Sequence, residues 1–277
     1  MICLNRGLLL LSLLLSCSLL STAQSAHKYM KEAEAHLLQH DTDAAVSSME
    51  QLLASYPESP AVILTNQCLA DIYSARGYKD SAKERLIYAL SYVPFAEAWE
   101  PKPDTFAAQY YLFTAKADVA VRLSRLYDNA GDTAKGLYFL NLADSLFLPV
   151  TDSMLLQLDY RSYLSLRYRE HYLRFGDTAA ARSRLLSFFM VGTPRSDELT
   201  DSLRSLLLAR YSSRTIKRFV DRAIATVKTD TVAENGKNVV YYSCLLFDTT
   251  IIRAEFRSRK SFQSMLRRNR YIRRLKG

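Results

Sequence analysis

A tyrosine followed four residues later by a glycine recurs along the chain, with apolar positions at helical spacing on both sides. Glycine ends helices readily because it adopts the left-handed backbone conformation at no steric cost. The spacing therefore predicts a helix, a tight turn and a second helix in each unit, and repeated helical hairpins stack on one another. The three pairs are Tyr73 and Gly77, Tyr127 and Gly131, and Tyr172 and Gly176.

Small and bulky residues also recur at fixed offsets from each turn. In the second hairpin Ala82 stands five residues after Gly77, and Leu86 stands nine residues after it. In the first hairpin His40 takes the turn position, and Ala45 and Met49 stand at the same offsets from it. Small side chains let two helices approach closely, whereas bulky ones fill the groove between them. The pattern predicts four hairpins.

This pattern resembles the tetratricopeptide repeat, a helical hairpin of about 34 residues with small residues at two close approaches and a proline near its end. The match is strongest over residues 61–94, and it weakens in the fourth hairpin, where Arg169 stands at a position that is small in the family. The resemblance implies an all-α fold in which residues 24–194 form a right-handed α-solenoid. It also implies a concave groove that binds a peptide or protein, without catalysis or a cofactor.

The residues after the repeats predict a different organisation. Residues 195–230 carry two amphipathic patterns and are expected to form helices that cover the end of the stack, the second of them with Ser213 as its N-cap. Within residues 231–277 two runs rich in β-branched and aromatic residues, 239–247 and 250–256, predict a short β-hairpin. Asn235 and Gly236 mark a turn before it.

The first 23 residues are typical of a signal peptide, which predicts an exported protein in the periplasm or envelope. An apolar run of 14 residues, 7–20, precedes small residues at 21–23, and the run is too short for a comfortable membrane span. An alternative is a lipoprotein whose lipidated first residue would be Cys17.

Charge is concentrated in the C-terminal segment. Residues 250–277 hold ten Lys or Arg and one acid, a net of +9, which equals the formal charge of the whole chain. The segment predicts a basic amphipathic helix, which could pack its apolar stripe on the preceding elements, lie on an anionic membrane surface, or bind nucleic acid. Export argues against nucleic acid. The candidate residues for an anionic surface are Arg259, Lys260, Arg267, Arg270, Arg274 and Lys276.

Four residues are candidates for contact with a protein partner. Asn66, Gln67 and Arg122 are polar positions on first helices, which would line the concave side of the stack. Trp99, the only Trp, lies in a proline-containing connection and is expected either to anchor a partner or to fill the gap between two units.

Catalytic motifs do not emerge from the sequence. His36 and His40 are spaced for a metal site, but His40 stands at the predicted turn, so no metal is expected there. Cys68 and Cys244 are predicted to remain in an exported chain, and their spacing neither demands nor excludes a disulfide. We therefore expect a non-enzymatic interaction scaffold of the bacterial envelope. The alternative is an extracytoplasmic sensory module, since such repeats are similar to regions of some sensor kinases; this sequence has no kinase core.

Overall fold

A computed structural model describes residues 21–59, 61–92, 105–147, 154–190 and 192–277. The chain divides into two compact units, Met1–Val150 and Thr151–Gly277. The fourth predicted hairpin therefore belongs to the same unit as the C-terminal elements.

The first unit contains three helical hairpins. In each hairpin the two helices pack on each other, and the first helices of successive hairpins also contact one another. This packing between neighbours confirms the prediction of stacked helical hairpins. The helices are α1 (Ser21–Leu38), α2 (Thr42–Ser55), α3 (Ala61–Ala75), α4 (Lys79–Ser91), α5 (Thr105–Asn129) and α6 (Thr133–Phe147).

The turn positions share one backbone conformation. Gly77, Gly131 and Gly176 have φ values of 85°, 80° and 82°, and His40 adopts φ 61° at the equivalent place. The carbonyl of Tyr127, four residues before Gly131, accepts a hydrogen bond of 2.9 Å from the amide that follows the glycine. This bond belongs to the Schellman helix ending, in which the acceptor lies four residues before the left-handed residue. The recurrent tyrosine-to-glycine spacing is thus the geometry of a helix C-terminus.

The residue after three of these turns begins the next helix. Carboxylate oxygens of Asp41, Asp132 and Asp177 accept hydrogen bonds of 2.9 to 3.0 Å from amides three residues on. A side-chain acceptor at this position satisfies an amide that has no partner inside the helix. Asp41, Asp132 and Asp177 therefore cap the second helices of their hairpins.

Small side chains lie buried where the helices of a hairpin meet. Ala45 and Ala82, five residues after their turns, are fully buried, and so are Met49 and Leu86 nine residues after them. The offsets identified in the sequence therefore mark the interior seam of the first unit.

The second unit begins with a fourth hairpin and continues into two further helices. The predicted capping helices are present, but the cap of α10 is Ser212 rather than Ser213, since Ser212 Oγ accepts from the amide of Thr215 at 3.2 Å. The elements are α7 (Met154–Arg174), α8 (Thr178–Leu186), α9 (Ser196–Leu208) and α10 (Ser213–Ala225).

A three-stranded antiparallel sheet follows, where a two-stranded hairpin was predicted. The strands β1 (Lys228–Glu234), β2 (Lys237–Leu246) and β3 (Thr249–Glu255) pair in the order β1-β2-β3. The missed strand, β1, is polar and exposed, so it carries no hydrophobic signal, and pairing with β2 defines it. Asn235 and Gly236 form its two-residue connection to β2 with φ 51° and 76°.

The predicted basic terminal helix is two short helices, α11 (Arg259–Arg268) and α12 (Arg270–Lys276). The break falls at Asn269, whose side-chain oxygen accepts from the amides of Tyr271 and Ile272 at 2.9 and 3.1 Å. Asparagine competes for backbone donors and so starts a new helix rather than continuing one.

One hydrophobic core holds the second unit together. It contains apolar residues from helices α7 to α12 and from β2 and β3, among them the fully buried Phe262, together with Phe189, which follows α8 and is also fully buried. The aromatic ring of Tyr242 on β2 stacks on Phe262 with the ring centroids 6.0 Å apart. The sheet therefore packs one face on the helices, as an isolated small sheet must in order to be stable.

Candidate binding surfaces

An exposed face of α4 forms an open depression on the first unit. Its residues Ser81, Glu84, Arg85 and Tyr88 follow the spacing i, i+3, i+4 and i+7, which places them on one side of a helix. Together with Tyr73 from α3 they line a volume of about 430 Å³. We call these five residues the α4 surface.

A carboxylate from the neighbouring hairpin fixes the polar groups of the α4 surface. Glu50 of α2 forms an ion pair with Arg85 and also accepts a hydrogen bond from the hydroxyl of Tyr73 at 3.4 Å. The Arg85 guanidinium lies 6.0 Å from the centroid of the Tyr73 ring, within cation–π range. Arg85 and Tyr73 are thus held in place by a third residue that does not line the depression.

Large apolar groups border this surface. Tyr88 is 51% exposed, and its neighbour Ile87 is 46% exposed. Tyr78, at the start of α4, is 60% exposed. The buried side of the same helix carries Ala82, Leu86 and Ala89, so α4 faces the core with these residues and presents its aromatic and polar groups, together with Ile87, outward.

Arg122, predicted as a partner contact, lies between two carboxylates. Its Nε donates to Asp118 at 2.8 Å, and its guanidinium also donates to Asp71 on α3. Burial by itself would lower the pKa of Arg122, but the two carboxylates outweigh it and raise the pKa. Arg122 therefore joins the first helices of two hairpins, much as Arg85 and Glu50 join the second helices of theirs.

Asn66 and Gln67, the other predicted contacts on first helices, are buried. Asn66 Nδ2 donates to the carbonyl of Val62 at 2.8 Å, and Gln67 Nε2 donates to the carbonyl of Ala115 on α5 at 3.0 Å. Their amide nitrogens therefore bind the chain's own backbone, whereas Asn66 Oδ1 is buried without a hydrogen-bond partner among the described residues. Their role with a partner stays a prediction. Trp99 lies outside the described residues.

Half of the predicted anionic-surface residues form ion pairs within the second unit. Arg270 donates to Asp197 at 3.0 Å, and Arg274 donates to Asp201 at 2.7 Å. Lys276 forms an ion pair with Asp221 of α10. These three cations bind α12 to α9 and α10.

The other half remains exposed on α11. Arg259, Lys260 and Arg267 form no ion pair with any described residue. The apolar stripe beside them, including Phe262 and Leu266, lies in the core of the unit. Of the three arrangements considered for this segment, the structure has the stripe packed on the preceding elements.

The thiols of Cys68 and Cys244 and the imidazole of His171 lie among the buried or partly buried side chains of the described part of the chain. Cys68 and Cys244 are free thiols, and burial raises the pKa of each to about 11, so both stay protonated at neutral pH. His171 is buried among aromatic rings, with its ring centroid 5.2 Å from that of Phe175. The described residues include no group of three His, Cys, Asp or Glu able to hold a metal ion.

No protein-family model matches this sequence, and a search of curated proteins returned no relative. Within the described ranges, no helix combines the length and apolar character needed to cross a membrane.

The residues of the α4 surface were missed in the sequence, although a signal for them exists. Ser81, Glu84, Arg85 and Tyr88 form one polar and aromatic face on a helix whose other face was identified as the seam. A tyrosine and an arginine on the outward side of a helix are the residue types most enriched at protein interfaces.

Proposed function

We propose that the chain is an exported, non-enzymatic interaction scaffold whose first unit, a right-handed stack of tetratricopeptide-like hairpins, binds a protein or peptide segment. The observation that carries the proposal is the α4 surface, an open depression that combines two tyrosines with a fixed arginine. The surface offers a ligand the aromatic rings of two tyrosines, the hydroxyl of Ser81 and the carboxylate of Glu84. These groups can make apolar contacts and hydrogen bonds with a peptide.

The geometry of the α4 surface supports tight contact at small entropic cost. Arg85 and Tyr73 are already held by Glu50, so a partner does not have to order them. Tyr88 is half exposed and has the most surface to lose to a partner. Buried tyrosines carry much of the energy at interfaces of this kind.

The charges around the depression suggest the chemistry of the partner. The carboxylate of Glu50 is already matched by Arg85, whereas Glu84 is exposed and forms no ion pair with any described residue. A segment that places an apolar side chain between Tyr73 and Tyr88, followed by a lysine or arginine beside Glu84, would match both features.

The proposal is tested with peptides selected from a random displayed library against the full chain. Peptides that bind the α4 surface should carry an apolar residue near a basic one, and Tyr88→Ala should weaken them by about 2 kcal/mol, or roughly 30-fold in Kd. Tyr138→Ala is the matched control, because Tyr138 is 60% exposed on α6. Fluorescence anisotropy with labelled peptides measures both variants.

Equal affinities for Tyr88→Ala and wild type would show that the selected peptides bind elsewhere, and the α4 surface would lose its role. Glu84→Gln should weaken binding of the basic peptides. The difference in affinity from wild type should decrease as salt rises, because an exposed charge pair is screened.

Export is part of the proposal and rests on the pattern of residues 1–23. Expression of the whole chain in a bacterium with N-terminal mass analysis should give a protein that begins at Gln24. A lipidated Cys17 would establish the lipoprotein alternative, and an uncut chain would exclude both.

A second proposed function, binding to an anionic membrane surface, is supported by the exposed cations of α11. Changing Arg259, Lys260 and Arg267 together to glutamine should abolish co-sedimentation with anionic vesicles at low salt. Arg270→Gln, which alters a cation already paired with Asp197, should have a smaller effect. Equal sedimentation with neutral and anionic vesicles would refute a role for lipid charge.

A further inference from the structure

Strand β1 is an open edge of the sheet. It pairs with β2 on one side, and on its other side it pairs with no described strand. Six of its seven residues are exposed, and Val232 alone is partly buried. The opposite edge differs, because β3 packs against α8 and the hydroxyls of Ser183 and Thr249 lie 3.4 Å apart. An uncovered edge strand offers unpaired amides and carbonyls to another strand.

The hairpin geometry identifies which backbone groups are unpaired. In a two-residue hairpin the closing pair, here Glu234 and Lys237, is hydrogen-bonded, and hydrogen-bonded pairs then alternate along the ladder. The amides and carbonyls of Thr229, Thr231 and Ala233 consequently point to the open edge. The β1–β2 register runs without a bulge, so the alternation holds over the whole strand.

The side chains of β1 are complementary to a second copy of the same strand. If two copies pair antiparallel about Thr231, Lys228 of each strand stands opposite Glu234 of the other. These residues share one face of the sheet with Asp230 and Val232, because side chains alternate along a strand. The pairing thus forms two ion pairs related by a two-fold axis, as an isologous interface requires.

Backbone and side chains favour the same register. Centred on Thr231, the three outward-pointing residues of each strand meet one another as hydrogen-bonded pairs, and all seven residues take part. A register centred on Asp230 would place that carboxylate opposite its own copy, and one centred on Val232 would place Asp230 opposite Glu234. Like charges directly opposite each other are destabilising.

Existing contacts on this face hold the edge in an extended form. The guanidinium of Arg253 on β3 donates to Asp230 at 3.0 Å and lies 4.5 Å from the centroid of the Tyr241 ring. The Tyr241 hydroxyl donates to the two carboxylate oxygens of Glu234 at 2.9 and 3.1 Å. Asp230 within the strand and Glu234 at its end are therefore ordered before any partner arrives.

From these observations we propose that β1 is a homodimerisation edge, at which two copies of the chain pair antiparallel about Thr231 to form a continuous six-stranded sheet. Strand addition buries little area compared with a stable globular interface, so the dimer forms reversibly at micromolar concentrations or above. This inference is independent of the α4 surface, which lies on the first unit.

Charge exchange across the axis tests the proposal. Sedimentation equilibrium of the full chain up to about 0.3 mM should show a monomer–dimer equilibrium. Lys228→Glu and Glu234→Lys should each weaken it at least about tenfold, because each places like charges opposite one another. The double variant K228E/E234K restores both pairs and should return the dissociation constant to within about threefold of wild type.

Mixing the two single variants provides a second test. Chains carrying K228E present two acids, and chains carrying E234K present two bases, so the mixture should form heterodimers although neither variant dimerises well alone. Thr231→Pro removes an amide that points away from β2, so it should abolish the dimer and leave the thermal unfolding of the monomer nearly unchanged. Thr231→Ala, the matched control, should keep the dimer.

Two results would overturn the proposal. A chain that stays monomeric at the highest concentration would leave the edge without a second copy as its occupant. A dissociation constant unchanged by the charge variants and by Thr231→Pro would assign dimerisation to another surface. So would a double variant that fails to restore the wild-type dissociation constant.

Discussion

Replacing the residues at the helix turns tests whether the four hairpins are equivalent. Gly131 has φ 80°, and no atom lies within 4 Å of the position that a Cβ would take. Alanine at this site therefore meets no steric clash; the left-handed backbone costs about 1–2 kcal/mol, the smaller freedom of the unfolded chain returns about 0.4–1 kcal/mol, and the net loss is about 1 kcal/mol. At His40 a residue with a Cβ already occupies φ 61°, so substitution by glycine should change the unfolding free energy in the opposite direction. His40→Gly relieves a strain of about 1–2 kcal/mol but gives the unfolded chain more freedom, which costs about 0.4–1 kcal/mol, so the net gain is also about 1 kcal/mol.

Urea unfolding followed by circular dichroism measures these effects. With a slope of about 2 kcal/mol per molar urea, Gly131→Ala should lower the midpoint by about 0.5 M, whereas His40→Gly should raise it by a similar amount. Gly131→Asn is the matched control, because asparagine tolerates the left-handed region better than alanine does and should cost less. The chain has two compact units, so the transition of the first unit is followed separately if two transitions appear.

A midpoint unchanged by Gly131→Ala would show that the turn does not require a left-handed residue. A loss of stability in His40→Gly as large as that in Gly131→Ala would show that His40 contributes contacts beyond the turn. Either result would refute the equivalence of the first hairpin with the others.

Three further predictions concern the caps, the core and the thiols. Asp177→Ala should lower the unfolding free energy by about 1 kcal/mol, because the amide of Ala180 loses its acceptor, and Asp177→Asn should recover most of the loss in the same assay. Phe262→Ala should cost the second unit about 3–5 kcal/mol, and a loss below about 1 kcal/mol would show that the ring is not central to the core. Since burial raises the pKa of Cys244 to about 11, alkylation of the folded protein at pH 8, mapped by mass spectrometry, should be at least about tenfold slower than in urea; equal rates would contradict the burial.

The helical hairpins could be predicted from sequence because local rules specify their ends. A glycine in the left-handed region and an aspartate directly after it determine where one helix stops and the next begins, and both signals lie within a few residues. His40 shows that spacing can identify such a turn even where the usual residue is absent.

The missed features depend on partners distant in sequence. Strand β1 has charged and polar residues without alternating hydrophobicity, so pairing with β2, rather than local preference, makes it a strand. The polarity of Gln67 likewise does not reveal that its side-chain amide donates to the carbonyl of Ala115, 48 residues further along the chain. The break at Asn269 did have a local signal, since asparagine is a common start of helices.

The position of α12 in the core has a consequence for the order in which the protein can fold during synthesis. Tyr271, Ile272 and Leu275 are buried against helices made dozens of residues earlier, so the second unit cannot complete its interior until residue 275 has left the ribosome. Until then Leu203 and Ile224, on the inward faces of α9 and α10, lack part of their covering. A nascent chain with this apolar surface uncovered is exposed to aggregation and to binding by chaperones until α12 has emerged and packed.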